Sequence, residues 1–113
     1  MNGYSLYKKA ILRLGYNDAE NSRLADRAAE FLNQILTDLN LENTDGLSGE
    51  LNLTEELCDT VVSGVAMLLA LSEGDGERNE LFAGIYNAKR GKFLSLSEER
   101  KDVLPHPCLD GGN

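Results

Sequence analysis

Residues 24–39 read LADRAAEFLNQILTDL, and this stretch decides the fold class of the chain. Its apolar side chains recur at steps of three and four, which places them on one face of an α-helix. They are Leu24, Ala28, Phe31, Leu32, Ile35, Leu36 and Leu39. The spacing predicts a core-facing helix over about residues 18–39, with Asn17 as its N-cap and Glu20 as the capping-box partner.

Two further helices are predicted from their caps. Ser5 is expected to cap a first helix over residues 5–14, which Gly15 ends because glycine readily adopts the left-handed conformation found after helices. Thr54 is expected to cap a third helix over residues 54–72, with acidic residues in its first turn. This third helix is apolar nearly all round, and such a helix must be buried on several sides.

A fourth helix is predicted over residues 76–90, ended by Gly91, and the polar residues 95–102 could form one more short helix. The side of the fourth helix that packs against the other helices is predicted to hold Leu81, Phe82, Ile85, Tyr86 and Ala88. The expected fold is all-α, a small four- to five-helix bundle with a flexible C-terminal tail. Residues 1–94 would form the helical domain and residues 95–113 the tail.

The predicted second and third helices are joined by a long loop over residues 40–53, rich in turn-forming residues. A loop of this length in a small domain is often functional. The alternation of Leu47, Gly49, Leu51 and Leu53 is compatible with a short extended segment. The helices are predicted to pack around Phe31, Leu32, Ile35, Leu36, Val61, Val65, Leu68, Leu69 and Ile85.

The charge of the chain disfavours general nucleic-acid binding. The 113 residues carry a formal net charge of −8, whereas phosphate contacts need clustered lysine and arginine. Between Arg27 and Arg78 the chain contains no basic residue, although it contains many acidic ones. One interpretation is a solvated acidic face; the other is charge complementarity, in which the basic ends of one copy meet the acidic middle of the next.

The residues that carry chemistry in other proteins are sparse. Cys58, Cys108 and the single histidine His106 do not make a metal site, and no base accompanies a nucleophile. The carboxylate pair Glu55–Glu56 is explained as helix-start acids. We therefore expect no enzymatic activity, no bound metal and no cofactor.

The chain has no apolar run near the roughly 20 residues that span a bilayer, and it does not begin with a secretory signal pattern. A cytoplasmic location without membrane contact is the expectation. Aromatic and basic residues gather near the chain ends, and protein contacts favour this mixture of residue types. They are Tyr4, Tyr7, Lys8, Lys9, Arg13, Tyr16, Lys92 and Phe93.

Four segments together resemble a known family. They are KKAILRLGY at residues 8–16, the helix at 25–39, GVAMLLALSEGD at 64–75 and FAGIYNAKR at 82–90. The arrangement is similar to that of the head-to-tail connector proteins of tailed bacteriophages and prophages, also called adaptor or head completion proteins. The resemblance covers about residues 5–92.

The resemblance implies a structural protein that joins the capsid portal to the tail. Copies would form a homo-oligomeric ring of about a dozen subunits, bound to the portal protein and to tail-completion proteins. DNA would pass through the ring without specific binding. The location would be the virion and the host bacterial cytoplasm, and the isolated protein could be a monomer that completes its ring on the portal.

A contact between copies is expected where loop acids of one subunit meet basic residues at and just after the end of the predicted fourth helix of the next. The candidate interface residues are Glu42, Asp45, Glu50, Tyr86, Lys89, Arg90 and Lys92. The alternative function is a small helical regulatory or adaptor protein, which would bind a partner helix as a monomer or dimer.

The first prediction concerns chemistry. We expect a variant with alanine at Cys58, Cys108 and His106 to keep its helical circular dichroism spectrum and its biological function, because no ligand set or nucleophile depends on these residues. A stoichiometric metal in the purified parent, measured by elemental analysis and lost in the variant, would contradict this expectation.

Overall fold

The computed structural model describes residues 1–16 and 21–103, apart from the side chains of residues 21–23 and 97–103. Within these ranges the protein is all-α, as predicted. Its four helices are α1 (Gly3–Leu14), α2 (Asn21–Asp38), α3 (Glu55–Ser72) and α4 (Gly76–Val103). The predicted capping box at residues 17 and 20 and the tail after residue 103 lie outside the described residues.

The α3 helix lies at the centre of the bundle and packs against all three other helices. Its side chains are buried on nearly every side, as its apolar sequence predicts. The buried residues are Cys58, Thr60, Val61, Val62, Ser63, Gly64, Val65, Ala66, Leu69 and Ala70. Thr54 caps its first turn by accepting a hydrogen bond from the Leu57 N–H, so the predicted start of this helix is confirmed.

At Gly64, α3 lies close to side chains of both α2 and α4. A Cβ atom at this position would lie 2.8 Å from Ile35 Cδ1 of α2 and 2.9 Å from Tyr86 Cε1 of α4. Both distances are shorter than ordinary van der Waals contact, so only the missing side chain lets the two neighbours lie this close to α3.

The first helix begins earlier than predicted. Asn2, not Ser5, is its N-cap, and Asn2 Oδ1 accepts the Ser5 N–H at 3.1 Å. Both residue types cap helices well, and Asn2 is placed by its pairing with the loop before α3. The predicted end is confirmed, because Gly15 adopts a φ of 72° and its N–H bonds to helix carbonyls.

The long loop before α3 is fixed against the start of the chain. Asn2 and Glu50 form an isolated antiparallel bridge, and the Leu51 N–H donates to the Met1 carbonyl at 2.7 Å. Leu47 and Leu51 are buried, which agrees with the alternation seen in the sequence. The extended segment is therefore limited to this single bridge among the described residues.

Two further contacts hold the loop in place. A Cβ on Gly3 would lie 2.9 Å from Leu47 Cα, so the backbone of α1 touches the loop backbone directly. On the other side, the amide of Asn33 pairs with the backbone of Thr44, accepting its N–H at 2.8 Å and donating to its carbonyl at 3.0 Å. The loop is thus joined to both α1 and α2.

The prediction that Gly91 ends the fourth helix is wrong, because α4 continues to Val103. Gly91 is exposed and does not take a positive φ, so it forms an ordinary helical residue. A glycine inside a helix costs about 1 kcal/mol, which good helix formers on either side can offset. The predicted boundary between residues 94 and 95 falls inside this helix, and the division into domain and tail stays a prediction.

The predicted packing side of α4 is partly wrong. Phe82 and Tyr86 are buried, but Leu81 is 59% exposed and Ala88 is also exposed. The predicted core is confirmed at six of its nine positions: Leu32, Ile35, Leu36, Val61, Val65 and Leu69. Phe31, Leu68 and Ile85 pack at its edge and are only partly buried. The core also includes Leu6, Tyr7, Ala10, Ile11 and Leu14 of α1.

The contact at Gly64 predicts opposite effects of one substitution at two helical glycines. We expect Gly64→Ala to lower the free energy of unfolding by about 1 kcal/mol, because overpacking of typically 1–3 kcal/mol exceeds the gain in helix propensity. Gly84 of α4 has no atom within 4 Å of the corresponding Cβ position. Gly84→Ala should therefore raise the free energy of unfolding by about 0.5–1 kcal/mol. Urea denaturation measures both, and equal signs would contradict the packing described here.

Candidate subunit interface

The end of α2 is joined to α4 by a cluster of three side chains. Tyr86 donates its hydroxyl hydrogen to Asp38 Oδ2 at 2.6 Å, and Arg90 Nε donates to the same oxygen at 2.7 Å. The hydrogen bond from Tyr86, together with Arg90, lowers the pKa of Asp38. Burial and the Asp38 carboxylate raise the pKa of Tyr86. Tyr86 and Arg90, two of the predicted interface residues, thus donate hydrogen bonds to a residue of their own chain.

A second cluster centres on Asp59 and joins three helices. Asp59 Oδ1 pairs with Arg13 of α1, and Asp59 Oδ2 lies 2.7 Å from Lys89 Nζ of α4. The hydrogen bonds from Lys89 and Arg13 lower the pKa of Asp59. Lys89, a third predicted interface residue, therefore also has an internal partner.

A third cluster joins the chain after α1 to the turn between α3 and α4. Tyr16 donates its hydroxyl hydrogen to Asp75 Oδ2 at 2.9 Å, and Arg78 pairs with the same oxygen at 3.1 Å. The Arg78 guanidinium also lies 5.9 Å from the centre of the Tyr16 ring, within cation–π range. Burial, and next the hydrogen bond to Asp75, raise the pKa of Tyr16 to about 12.

The predicted acidic half of the interface lies on the surface of the loop. Glu42 and Asp45 are exposed, and within the described part of the chain neither forms an ion pair. Glu50 is also exposed, and its Oε2 lies 2.5 Å from the ammonium group of Met1. Because the loop is fixed to α1 and α2, it presents these carboxylates in a defined arrangement.

The predicted basic half is divided by the structure. Tyr86 is only 2% exposed, so it has almost no surface to offer a second copy. Lys89 and Arg90 keep their side chains partly exposed while forming internal ion pairs. Lys92 is exposed and forms no ion pair with the described residues. The interface itself stays a prediction.

One further surface combines aromatic and basic residues noted in the sequence with a leucine whose exposure the sequence did not predict. The α1 outer face consists of Tyr4, Lys8, Lys9 and Leu12, all of which are exposed. The clustering of tyrosine and lysine near the start of the chain was a signal for it. The sequence did not predict that Leu12 is 78% exposed, because Leu12 is apolar and lies among apolar residues that are buried.

Among the side chains that the structure describes, no group of three or more His, Cys, Asp or Glu residues could hold a metal ion. Cys58 is buried, with its Sγ 3.4 Å from Met1 Sδ, whereas His106 and Cys108 lie outside the described residues. None of the described helices combines the length and apolar character needed to cross a membrane. Absence of enzymatic activity and of cofactors stays a prediction.

Comparison with protein-family models, with curated proteins and with solved structures finds no match for this chain. The connector resemblance therefore rests on the segments of the sequence itself. The structure adds a helical body with an apolar core, whose helices are also joined by partly exposed ion pairs. Among the described residues, Lys8 and Lys9 of α1 and Glu42 and Asp45 of the loop form no ion pair.

The Asp59 cluster predicts a pH-dependent loss of stability. We expect Asp59→Asn to lower the free energy of unfolding at neutral pH by about 1 kcal/mol, because it removes two partly exposed ion pairs of limited strength. The pKa of Asp59 is lower in the folded state than its ordinary value of 3.8. This contribution is therefore complete above that value and is lost as the pH falls through the folded-state pKa.

The parent and the Asp59→Asn variant should thus converge in stability once the pH lies below the folded-state pKa of Asp59, as measured by urea denaturation across the acid range. Asp45→Asn is the matched control, because Asp45 is an exposed aspartate without an ion pair in the described chain. It removes the same charge and should leave stability unchanged or slightly higher in this acidic protein. A loss as large as that of Asp59→Asn would show that the ion pairs are not responsible.

Proposed function

We propose that this protein is a subunit of a head-to-tail connector ring, which joins the capsid portal of a tailed bacteriophage or prophage to the tail. The observation that carries the proposal is the acidic loop. This loop is fixed to two helices, yet it leaves Glu42 and Asp45 exposed and without ion-pair partners in the described chain. The resemblance over residues 5–92 and the all-α fold support it.

A ring needs two different surfaces on each subunit, because head-to-tail contacts join unlike patches. The described part of the chain has such patches, since the loop carries exposed acids, and α1 and α4 carry lysines without ion pairs. Contacts of this kind between exposed charges are weak in solution. They become effective when a symmetric template such as the portal holds several copies at high local concentration.

The net charge of −8 suits a conduit for DNA. Acidic side chains around a channel repel phosphate groups, so DNA can slide through without being held. In this proposal the partners are the portal protein and the tail-completion proteins, and the protein resides in the virion and in the host bacterial cytoplasm. No nucleic-acid sequence is recognised.

The alternative function is a helical regulatory or adaptor protein that acts as a monomer or dimer. The exposed leucines Leu71 and Leu81, at 62% and 59%, favour it because apolar surface residues can hold a partner helix. A sedimentation measurement on the protein mixed with portal complex separates the two functions, since only the connector adds many copies to the portal.

The functional prediction uses the portal complex encoded by the same genome. We expect the purified protein to form a closed ring on this complex at low salt, visible by electron microscopy. Replacing Glu42 and Asp45 by lysine should reduce ring formation at least about ten-fold, because it reverses the charge of the loop at a contact between copies. The double variant with lysine at Asp26 and Glu30 is the control. These acids lie on the outward side of α2, and their replacement changes the net charge equally.

Ring formation by the control and not by the loop variant supports the proposal. If the parent protein does not bind the portal at low salt, the connector function is wrong and the adaptor function is preferred. If both double variants lose the ring equally, net charge and not the loop determines assembly.

A further inference from the structure

We infer that the α1 outer face is the basic half of the contact between copies, and that it docks on the acidic loop of a second copy. The inference rests on the proposed function, because a ring requires such a contact. In this contact Lys8 and Lys9 of α1 take the place of Lys89 and Arg90 of the predicted interface, because Lys89 and Arg90 have partners inside the chain.

The α1 outer face has the composition of a contact surface. Tyr4, Lys8 and Leu12 follow one another at steps of four residues and therefore form one stripe along the helix, with Lys9 beside it. Tyr4 is 49% exposed and Leu12 is 78% exposed. Tyr4 and Leu12 provide apolar area on either side of Lys8. When a second molecule covers this area and excludes water, the attraction between the Lys8 ammonium group and a carboxylate becomes stronger.

The lysines of this face are available to a second molecule. Within the described part of the chain Lys8 and Lys9 form no ion pair, whereas Arg13 on the next turn pairs with Asp59. Releasing Arg13 or Lys89 for a partner would break an ion pair that joins helices. Pairing of Lys8 and Lys9 with a second molecule breaks none of the ion pairs described here.

Charge complementarity identifies the occupant as a second copy. Glu42, Asp45, Glu55 and Glu56 are exposed around the loop and the start of α3, and within the described chain they form no ion pair. Their charge is opposite to that of the α1 outer face, and no ion pair joins the two sets within one molecule. Unlike surfaces that complement each other between copies give a head-to-tail contact, which can close into a ring.

The two surfaces are also held in a fixed relation to each other. The bridge between Asn2 and Glu50 and the close contact of Gly3 with Leu47 attach α1 to the loop that carries the acids. Each subunit therefore presents its basic and acidic surfaces at one angle. A constant angle between the two halves of a contact is what a closed ring requires.

Zero-length cross-linking tests the contact directly. A carbodiimide joins a lysine amine to a carboxylate that lies in contact with it, and an equal mixture of ¹⁴N- and ¹⁵N-labelled protein distinguishes links between copies from links within one. We expect mixed-isotope links from Lys8 or Lys9 to Glu42, Asp45, Glu55 or Glu56, at high protein concentration and low salt. Mass spectrometry identifies them.

Two variants and a control assign the links to the α1 outer face. Leu12→Ser keeps both lysines and removes an exposed apolar side chain, so it should not unfold the protein. If the α1 outer face docks on a second copy, this variant should reduce the cross-links between copies at least about ten-fold. Lys8→Glu should have the same effect on links from Lys9. Lys92→Glu makes the same change of net charge on α4 and should leave the links intact.

The outcomes separate the inference from the proposed function. The inference is overturned if no link between copies involves Lys8 or Lys9, if Lys92 alone supplies them, or if Leu12→Ser and Lys8→Glu form portal-bound rings as well as the parent. In the last case the connector function stands. If the links form as expected but the parent does not bind the portal, the contact between copies stands and the connector function fails. Links from this face only to another acidic protein added to the mixture would also overturn it.

Discussion

The packing of α3 against its neighbours at Gly64 is the constraint on which the rest of the structure depends. Because α3 is apolar nearly all round, it is stable only when other helices cover it. The missing side chain at Gly64 lets Ile35 of α2 and Tyr86 of α4 lie against the same turn. This approach in turn brings the Tyr86 hydroxyl to Asp38, so the polar contact between α2 and α4 depends on an apolar one.

The arrangement of helices decides which charges are left for other molecules. Once α4 lies along α3, Lys89 faces Asp59, and Arg90 faces Asp38 at the end of α2. Arg13 of α1 pairs with the other carboxylate oxygen of Asp59. These basic residues therefore have partners inside the chain, whereas Lys8 and Lys9 of α1 and Lys92 of α4 form no ion pair with the described residues. A charge count alone cannot make this distinction, because paired and unpaired lysines contribute equally to it.

The sequence predicts where the helices lie better than it predicts which residues of different helices contact each other. Periodicity, caps and apolar runs together identified all four described helices, and the cap at Thr54 depends only on local chemistry. The prediction that the fourth helix ends at Gly91 is wrong. Glycine is common just after helices, but α4 continues as a helix on both sides of Gly91. The loop acids of the candidate site could be found from composition, since charged residues are mostly exposed. The partners of Lys89 and Arg90 could not, because each lies on another helix far away in the sequence. The exposure of Leu12 likewise depends on which side of α1 faces the bundle.

The attachment of α1 to the loop has a consequence for how the protein opens. A helix of 12 residues is marginal by itself, so α1 is ordered mainly by what it touches, including Leu47 and the bridge to Glu50. Detaching the loop would therefore also release the amide hydrogens of α1 to exchange with solvent, and the two segments form one cooperative unit. Any molecule that immobilises either segment slows exchange in the other, which couples a binding event on the helix to order in a loop far away in the sequence.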